Sequence, residues 1–152
     1  MIKIPLEIVC LPHAEGLPLP SYQTEGAAGM DLRAALSQNE NLKIIPGQRV
    51  LVPAGIIVAI PSDYEGQIRP RSGLALQYGI TCLNSPGTID SDYRGELKVL
   101  LINLGSDVFI VKRGMRIAQM VIASCVRVEI TAVPVLQITH RNDSGFGSTG
   151  TL

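Results

Sequence analysis

Short runs of β-branched and aliphatic residues, separated at close intervals by glycine and proline, constrain the fold of this chain more than any other feature. The 15 glycines and 10 prolines are spread among these runs and do not collect in a linker. Because glycine and proline mark turns, this spacing predicts many short strands. We therefore expect an all-β fold, in the form of a sandwich, a jelly roll or a small barrel.

The apolar runs place six candidate strands along the chain. They span residues 2–9, 49–60 with a break at Pro53, 97–104, 108–111, 115–128 and 130–135. The first contains Pro5, which has no backbone N–H to donate, so this strand is expected at a sheet edge or paired on one side only. One helix is expected, over 73–78, with Ser72 as its N-cap and Gly79 just past its end.

The size and charge of the chain limit what it can bind. A chain of 152 residues with 46% apolar residues can bury one core, so we expect one domain over 1–140 and an arm over 141–152. The 13 basic and 13 acidic side chains give a formal net charge of zero, so no overall field attracts nucleic acid or an anionic membrane. An anionic ligand must therefore meet a local cluster of arginines.

Neither a membrane span nor a signal peptide is expected from the residues. No stretch has the length and apolar character of a membrane span, and the N-terminus lacks the layout of a signal peptide. Cys10, Cys82 and Cys125 are odd in number and far apart, which argues against a disulfide framework and against a zinc site. These features predict a soluble, cytoplasmic protein with free thiols.

A carboxylate stands in a turn bounded by two glycines, in the stretch 87–95. Asp90 follows the β-branched residues Thr88 and Ile89, so it is expected to be half-buried or directed into a cleft. Burial favours the neutral form of a carboxyl group and nearby cations favour the charged form, so such a position can be tuned as a general base. The alternative is a β-hairpin whose aspartates hydrogen-bond to their own turn.

Two arginines and a hydroxyl group precede the predicted helix. Arg69, Arg71 and Ser72 lie where unpaired backbone N–H groups favour an anion. This pattern predicts a phosphate-binding site. The alternative is an ordinary N-cap at Ser72 with two solvated surface arginines.

Two polar residues stand in otherwise apolar segments. Asp31, among small and apolar neighbours at 28–34, either orients a water bound to a metal or pairs with an arginine. Gln119 is the one plausible ligand contact in the run 114–120, which is mostly an alternating strand. The alternative for that run is ordinary sheet packing.

The C-terminal stretch 141–150 is too polar and glycine-rich to fold against itself, so we expect it to be mobile unless a ligand binds it. Phe146 lies between glycines and can stack on a flat ligand, and Arg141 can bring a bidentate cation to a phosphate. The glycine-rich run has no lysine, so it is not a P-loop. The alternative is a frayed terminus.

Five segments occur in order along the chain: AGMDLRA at 28–34, PRSGLA at 70–75, GTIDSDYRGELKV at 87–99, GMRIAQM at 114–120 and RNDSGFGSTG at 141–150. In residues, order and spacing they resemble the five motifs of the trimeric dUTPases, over nearly the whole chain. The resemblance implies a jelly-roll-like β fold and a homotrimer with three active sites at subunit interfaces. It also implies magnesium-dependent hydrolysis of dUTP to dUMP and diphosphate, which keeps uracil out of DNA and supplies dUMP for dTMP synthesis.

The resemblance assigns roles to the residues of the third segment. Asp90 would activate a water molecule for attack on the α-phosphorus. Tyr93 would pack on the sugar and reject a 2′-hydroxyl group. The uracil edge would be read by Asn84 and by the backbone around Thr88, Ile89 and Lys98.

The other segments would handle the phosphates and close the site. The phosphates would be held by Arg71, Ser72, Gly73 and Gln119, and Asp31 would orient a water on the metal. The arm would close over a neighbour's site and bind substrate through three residues: Arg141 on the γ-phosphate, Phe146 over the base, and Gly147. Family arms usually carry more glycine after the arginine, but Asn and Asp, which stand here at 142 and 143, tolerate positive φ, so closure is still expected.

Two other functions stay open. A dCTP deaminase resembles the dUTPases in architecture but needs a different acid/base group around the amino group, and the chain has no such glutamate motif. A nucleotide-binding or structural trimer without turnover would keep the pocket and lose the chemistry. The presence of Asp90, Tyr93, Arg141 and Phe146 together favours the hydrolase over both.

Overall fold

Antiparallel β-strands make up most of the regular structure in the part of the chain that the computed structural model describes, residues 3–143 and 145. The strands are β1 Glu7–Cys10, β2 Met30–Arg33, β3 Asn41–Ile44, β4 Arg49–Pro53, β5 Ile56–Ala59, β6 Tyr64–Arg69, β7 Ile80–Cys82, β8 Gly87–Ile89, β9 Lys98–Asn103, β10 Phe109–Lys112 and β11 Arg116–Ser124. One α-helix, α1 Ser72–Tyr78, and one 3-10 turn, Pro12–Ala14, complete the described elements. The prediction of an all-β fold with one short helix is confirmed.

The described strands form four antiparallel sheets, in the orders β2-β11-β6-β8, β4-β9-β7, β1-β5 and β10-β3. β11 is central to the largest sheet because it pairs with β2 on one side and with β6 on the other. β8 lies at the edge of that sheet and pairs only with β6 among the described strands. β1 likewise pairs on one side within the described residues, as expected for the first strand, although Pro5 precedes β1 and is not part of its ladder.

Alternation along the strands decides which side chains enter the core. In β9, Leu101 and Asn103 are fully buried, whereas the residue between them is partly exposed. Burying an aliphatic side chain of this size contributes about 1.5–3 kcal/mol. The amide of Asn103 donates to the carbonyls of Ile44 and Asp107, both at 2.8 Å, and its Oδ1 accepts from the Gly105 N–H at 2.9 Å. Because its hydrogen bonds are made, this polar residue links β9 to β3 without an unpaired buried group.

The strand boundaries differ from the prediction at both ends of the chain. β1 begins at Glu7, well after residue 2, and β11 ends at Ser124 instead of continuing to 128. The strand predicted over 130–135 is wrong, since these residues form no strand. In the run 125–138, the Cys125 N–H donates to the carbonyl of Asp63 at 2.8 Å. The rest of the run has the apolar alternation of a strand but no strand partner in the described part of its own chain, and an unpaired strand leaves its backbone groups unsatisfied.

The sequence prediction also misses five strands: β2, β3, β6, β7 and β8. They are short, and several are polar on one face; in β6, for example, only Gly66 and Ile68 are buried, and the other face carries Glu65, Gln67 and Arg69. The predicted cap at Ser72 is wrong, because the helix begins at Ser72 and the extended Arg71 (φ −94°, ψ 127°) occupies the N-cap position. Gly79 ends the helix with φ 67°, as predicted. Among the described residues, no helix has the length and apolar character needed to cross a bilayer.

Cys82 is buried at the end of β7, and burial raises the pKa of its thiol to about 11. The thiol should therefore stay protonated at about pH 8, where only thiolates react quickly. We expect iodoacetamide to label exposed Cys10 in the native protein and Cys82 only after unfolding, as peptide mass mapping would show. Folding favours the protonated Cys82 thiol over its thiolate. The contribution of this thiol to the free energy of unfolding should therefore be lost as the pH rises from 9.0 to about 11. Rapid labelling of native Cys82 would contradict its burial.

Candidate active site

Most of the predicted site residues line two separate clefts. The first, here called the hairpin cleft, has a volume of about 390 Å³ and is lined by residues that include Thr88, Ile89, Asp90, Tyr93, Glu96 and Lys98. The second, the helix cleft, has a volume of about 360 Å³ and is lined by residues that include Gly29, Asp31, Arg71, Ser72, Gly73 and Gln119. No described residue lines both clefts. The chain alone thus keeps the two groups of predicted residues apart.

A turn that is held by hydrogen bonds to its own backbone carbonyl groups places Asp90 at the hairpin cleft. The turn follows β8, and the Tyr93 N–H donates to the carbonyl of Asp90 at 3.2 Å. The guanidinium group of Arg94 donates to the carbonyls of Ser91 at 2.7 Å and Tyr93 at 2.8 Å. The Asp90 side chain is exposed in the cleft, and its carboxylate makes no hydrogen bond within residues 3–143. The alternative in which Asp90 hydrogen-bonds its own turn is therefore not what the described structure shows.

Two glycines in this segment leave room for neighbouring side chains. A Cβ atom at Gly95 would lie 2.3 Å from Tyr93 Oη, so only glycine allows the ring to cross the backbone there. The Tyr93 hydroxyl group donates to the carbonyl of Glu96 at 3.2 Å. A Cβ atom at Gly87 would lie 2.9 Å from Asn84 Nδ2, which places the Asn84 amide against the start of β8.

Ion pairs organise the helix cleft. Asp31 Oδ1 lies 3.0 Å from Arg71 Nε, and Asp31 Oδ2 lies 3.0 Å from Arg116 Nη1. The Asp31 side chain is only 13% exposed. Asp31 therefore pairs with arginine, one of the two alternatives that the sequence left open. Two guanidinium groups against one carboxylate leave a net positive charge beside the cleft.

Gln119 is held against the backbone at the floor of the helix cleft. Its Nε2 donates to the carbonyl of Pro70 at 3.0 Å, next to Arg71. A Cβ atom at Gly29 would lie 2.3 Å from Gln119 Oε1, so glycine leaves room for the amide just before β2 begins. Gly73, by contrast, has no atom within 4 Å of where its Cβ would be, so its backbone is open to the cleft.

The sequence analysis missed Arg116 as a partner of Asp31. A strand alternates its side chains, so residues 116 and 119 would point to opposite faces of a regular strand. β11 has an irregularity between Arg116 and Ala118, where Arg116 pairs with Arg33 and Ala118 with Leu32. The extra residue reverses the alternation and brings Arg116 to the same cleft edge as Gln119. No pattern in the sequence marks this bulge.

The arm is described only in part. Arg141 is exposed, whereas Phe146 and Gly147 lie outside the described residues. Asn142 has φ 44°, in the region that the sequence analysis expected Asn to tolerate, and its N–H donates to Thr139 Oγ1 at 3.0 Å. Among the described residues there is no group of three or more His, Cys, Asp or Glu side chains arranged to hold a metal ion.

Solved structures share this fold. A mutant dUTPase of Staphylococcus bacteriophage 80alpha, in complex with dUpNHpp, matches with a TM-score of 0.83 and 22% identity over 98% of this chain and 100% of that chain. A mutant dUTPase from phage phi11 of S. aureus matches with a TM-score of 0.77 and 20% identity over 89% of this chain and 100% of that chain. The fold is therefore the jelly-roll-like β fold of the dUTPases, as predicted.

Sequence comparison extends the match from fold to family. The dUTPase family model matches residues 15–150. Relatives include the deoxyuridine 5′-triphosphate nucleotidohydrolases of Rhizobium meliloti strain 1021, 64% identical over 96% of this chain and 91% of the relative, and Brucella melitensis biotype 2, 60% identical over 96% and 93%. The chain belongs to the dUTPase family, and the prediction of an enzyme of this type is confirmed.

Proposed function

We propose that the protein binds dUTP between the hairpin cleft of one chain and the helix cleft of a neighbouring copy, and hydrolyses it to dUMP and diphosphate. The observation that carries this proposal is the division of the chain into two clefts. One holds a carboxylate, an aromatic ring and a strand edge, and the other holds the guanidinium group of Arg71, with that of Arg116 paired to the same Asp31. Each cleft suits one half of a deoxynucleoside triphosphate.

The edge of β8 suits recognition of uracil. β8 pairs only with β6 among the described strands. Because alternate residues of an antiparallel strand direct their N–H and C=O groups to opposite sides, part of the backbone at 87–89 faces away from β6 and is open to a ligand. Uracil and cytosine differ in the pattern of hydrogen-bond donors and acceptors that each base would present to the edge of β8. A mismatched group in a dry pocket costs about 1–3 kcal/mol, so backbone groups at β8, with Asn84 and Lys98 nearby, can select uracil.

The helix cleft suits the phosphates. Arg71 can donate to a phosphate oxygen while its Nε atom stays paired with Asp31. The Ser72 hydroxyl group, the open backbone at Gly73 and the amide of Gln119 line the same cleft. Preorganised donors of this kind stabilise charge that builds up on phosphate oxygens during the reaction.

Asp90 is proposed to act as the general base. Its carboxylate takes a proton from a water molecule whose oxygen bonds to the α-phosphorus. The bond from the α-phosphorus to the α,β-bridging oxygen breaks, and diphosphate leaves with the electron pair. Tyr93, whose ring is held across Gly95, would pack on the deoxyribose and leave no room for a 2′-hydroxyl group.

Magnesium fits the helix cleft as an ion held mainly by substrate. Asp31 is the one carboxylate among the described residues that line this cleft, and both its oxygens are paired with arginines. Mg²⁺ keeps several waters and often takes few protein ligands when phosphates are present. Asp31 would therefore contact the ion through water, and when bound the ion would offset phosphate charge. The phage phi11 dUTPase is described with a structural Mg(II) ion.

Self-association is supported by the run 125–138. Seven of its apolar side chains are at least 53% exposed in the single chain: Val126, Val128, Ile130, Val133, Val135, Leu136 and Ile138. Soluble monomers rarely expose a contiguous apolar patch of this kind. A second copy is the proposed occupant, in a homotrimer that shares its active sites and whose arms, 141–152, close over neighbouring sites.

Deleting residues 141–152 should separate catalysis from folding. We expect the truncated protein to keep its oligomeric state and thermal unfolding temperature but to lose about 100-fold in activity, because Arg141 and the arm no longer complete the site. Size-exclusion chromatography with light scattering, thermal unfolding and a diphosphate-release assay measure these three properties. Failure of the truncated protein to fold would make the arm a structural element instead of a lid.

A diphosphate-release assay with dUTP, dCTP, dTTP and UTP, with and without magnesium, tests the proposed function. We expect release from dUTP to exceed release from the other three by about 100-fold or more. Ammonia release from dCTP would support a deaminase, and tight dUTP binding without release would support a binding protein. A cytoplasmic enzyme with the expected selectivity would keep uracil out of DNA and supply dUMP for dTMP synthesis.

A further inference from the structure

Glu96 lies at the hairpin cleft and joins segments that are far apart in the sequence. Its side chain is only 17% exposed. Its Oε1 accepts hydrogen bonds from the backbone N–H of Gly55 at 3.0 Å and from His13 Nε2 at 2.6 Å. Its Oε2 lies 4.0 Å from Lys98 Nζ, and its backbone carbonyl accepts from the Tyr93 hydroxyl group at 3.2 Å.

The segments that Glu96 joins form a closely packed support. Gly55 has φ 68°, and a Cβ atom there would lie 2.4 Å from Ala14 Cβ, so the turn between β4 and β5 lies directly on the 3-10 turn. Arg113 donates to the carbonyl of His13 at 2.6 Å, which fixes the backbone of the same turn. His13 is thus held at its backbone by Arg113 and at its ring by Glu96. The Glu96 carboxylate therefore connects the cleft to a region with little freedom to move.

We infer that Glu96 is a positioning residue for the sugar and base, acting through Tyr93 and Lys98. The inference rests on the proposed function, because it assumes that the deoxyribose packs on Tyr93. The Tyr93 hydroxyl group is tied to the carbonyl of Glu96 and the ring crosses Gly95, so a shift of residue 96 moves the ring. Lys98 begins β9 and lines the hairpin cleft together with Thr88 and Ile89 of β8, and its ammonium group faces the same carboxylate.

Replacing Glu96 with glutamine should disturb this arrangement with little change in shape. The carboxylate offers acceptors to all three donors: the Gly55 N–H, His13 Nε2 and Lys98 Nζ. An amide offers one acceptor oxygen and one NH₂ group, so at least one donor would face another donor. The Glu96→Gln change thus weakens the connection while it leaves Asp90 in place.

Steady-state kinetics of the full-length protein test the inference. For Glu96→Gln we expect the KM for dUTP to rise about tenfold, kcat to stay within about threefold, and the preference for dUTP over UTP to fall about tenfold. His13→Ala should change KM in the same direction, and His13→Gln, which keeps a donor, should restore part of the loss. Glu7→Gln is the matched control, because Glu7 is exposed on β1 and no described side chain bonds to it; it should behave as wild type.

The outcomes distinguish this inference from the proposed function. A folded Glu96→Gln variant with unchanged KM and unchanged preference would overturn the positioning role, as would a loss in kcat alone. If Glu96→Gln fails to fold, the two His13 variants test the positioning role instead. Equal KM values for His13→Ala and wild type would then overturn that role. An inactive Asp90→Asn variant beside a wild-type-like Glu96→Gln variant would leave the proposed function standing and remove only this inference.

Discussion

Replacing Asp90 with asparagine is expected to lower diphosphate release from dUTP by about 1000-fold while dUTP affinity stays within a few-fold. Asparagine has nearly the same shape as aspartate but cannot accept a proton from water at neutral pH. The exposed Asp90 carboxylate makes no hydrogen bond within residues 3–143, so its loss should leave the turn intact. Single-turnover kinetics and calorimetric binding of a non-hydrolysable dUTP analogue measure the two effects separately.

Asp92→Asn is the matched control for this prediction. Asp92 is exposed in the same turn, two residues further along, and the chemical change is identical. We expect its turnover to stay within about threefold of wild type, because its side chain lies outside the proposed reaction path. Wild-type-like turnover by Asp90→Asn would remove Asp90 from the mechanism, whatever the control shows.

Mixing two inactive variants should restore activity. If the hairpin cleft of one chain works with the helix cleft of a neighbour, Asp90→Asn chains can supply intact helix clefts and Arg71→Ala chains intact hairpin clefts. After joint unfolding and refolding at equal amounts, about one quarter of the shared sites should contain both intact halves. Each variant alone should stay nearly inactive, so the gain should be large. Asp31 keeps its Arg116 partner when Arg71 is removed, which favours correct folding of that variant.

A double variant provides the control for the mixing experiment. Chains that carry both Asp90→Asn and Arg71→Ala, mixed with Asp90→Asn chains, contain no intact hairpin cleft and should show no recovery. Native mass spectrometry would verify that mixed oligomers form. Mixed oligomers without recovered activity in the first experiment would mean that both halves of each site come from one chain.

The sequence predicts the class of the fold well, because the glycines and prolines that separate the short apolar runs mark turns at their own positions in the chain. The run 130–135 shows where such reasoning fails. Its apolar alternation fits a strand, but a strand needs a partner, and the described part of its own chain offers none. The same alternation is what the proposed contact with another copy would use. A pattern in one chain cannot distinguish pairing within that chain from pairing between chains.

The members of the candidate site follow from motifs, whereas their arrangement does not. Asp90 and Arg71 stand out as residues of the right chemistry, but only the structure shows that they line separate clefts. Arg116 escapes prediction because a bulge in β11 reverses the expected alternation. Glu96 escapes because its partners, His13 and Gly55, are distant in sequence and come together only in the folded chain.

Hydrolysis of dUTP in ¹⁸O-labelled water tests the proposed chemistry most directly. Attack of water on the α-phosphorus places the heavy oxygen in dUMP and leaves the diphosphate unlabelled. We therefore expect mass spectrometry of a single turnover to find one ¹⁸O atom in dUMP and none in diphosphate, with both products forming about 1000-fold more slowly for Asp90→Asn. Label in the diphosphate would place the attack on the β-phosphorus and contradict the mechanism proposed for Asp90.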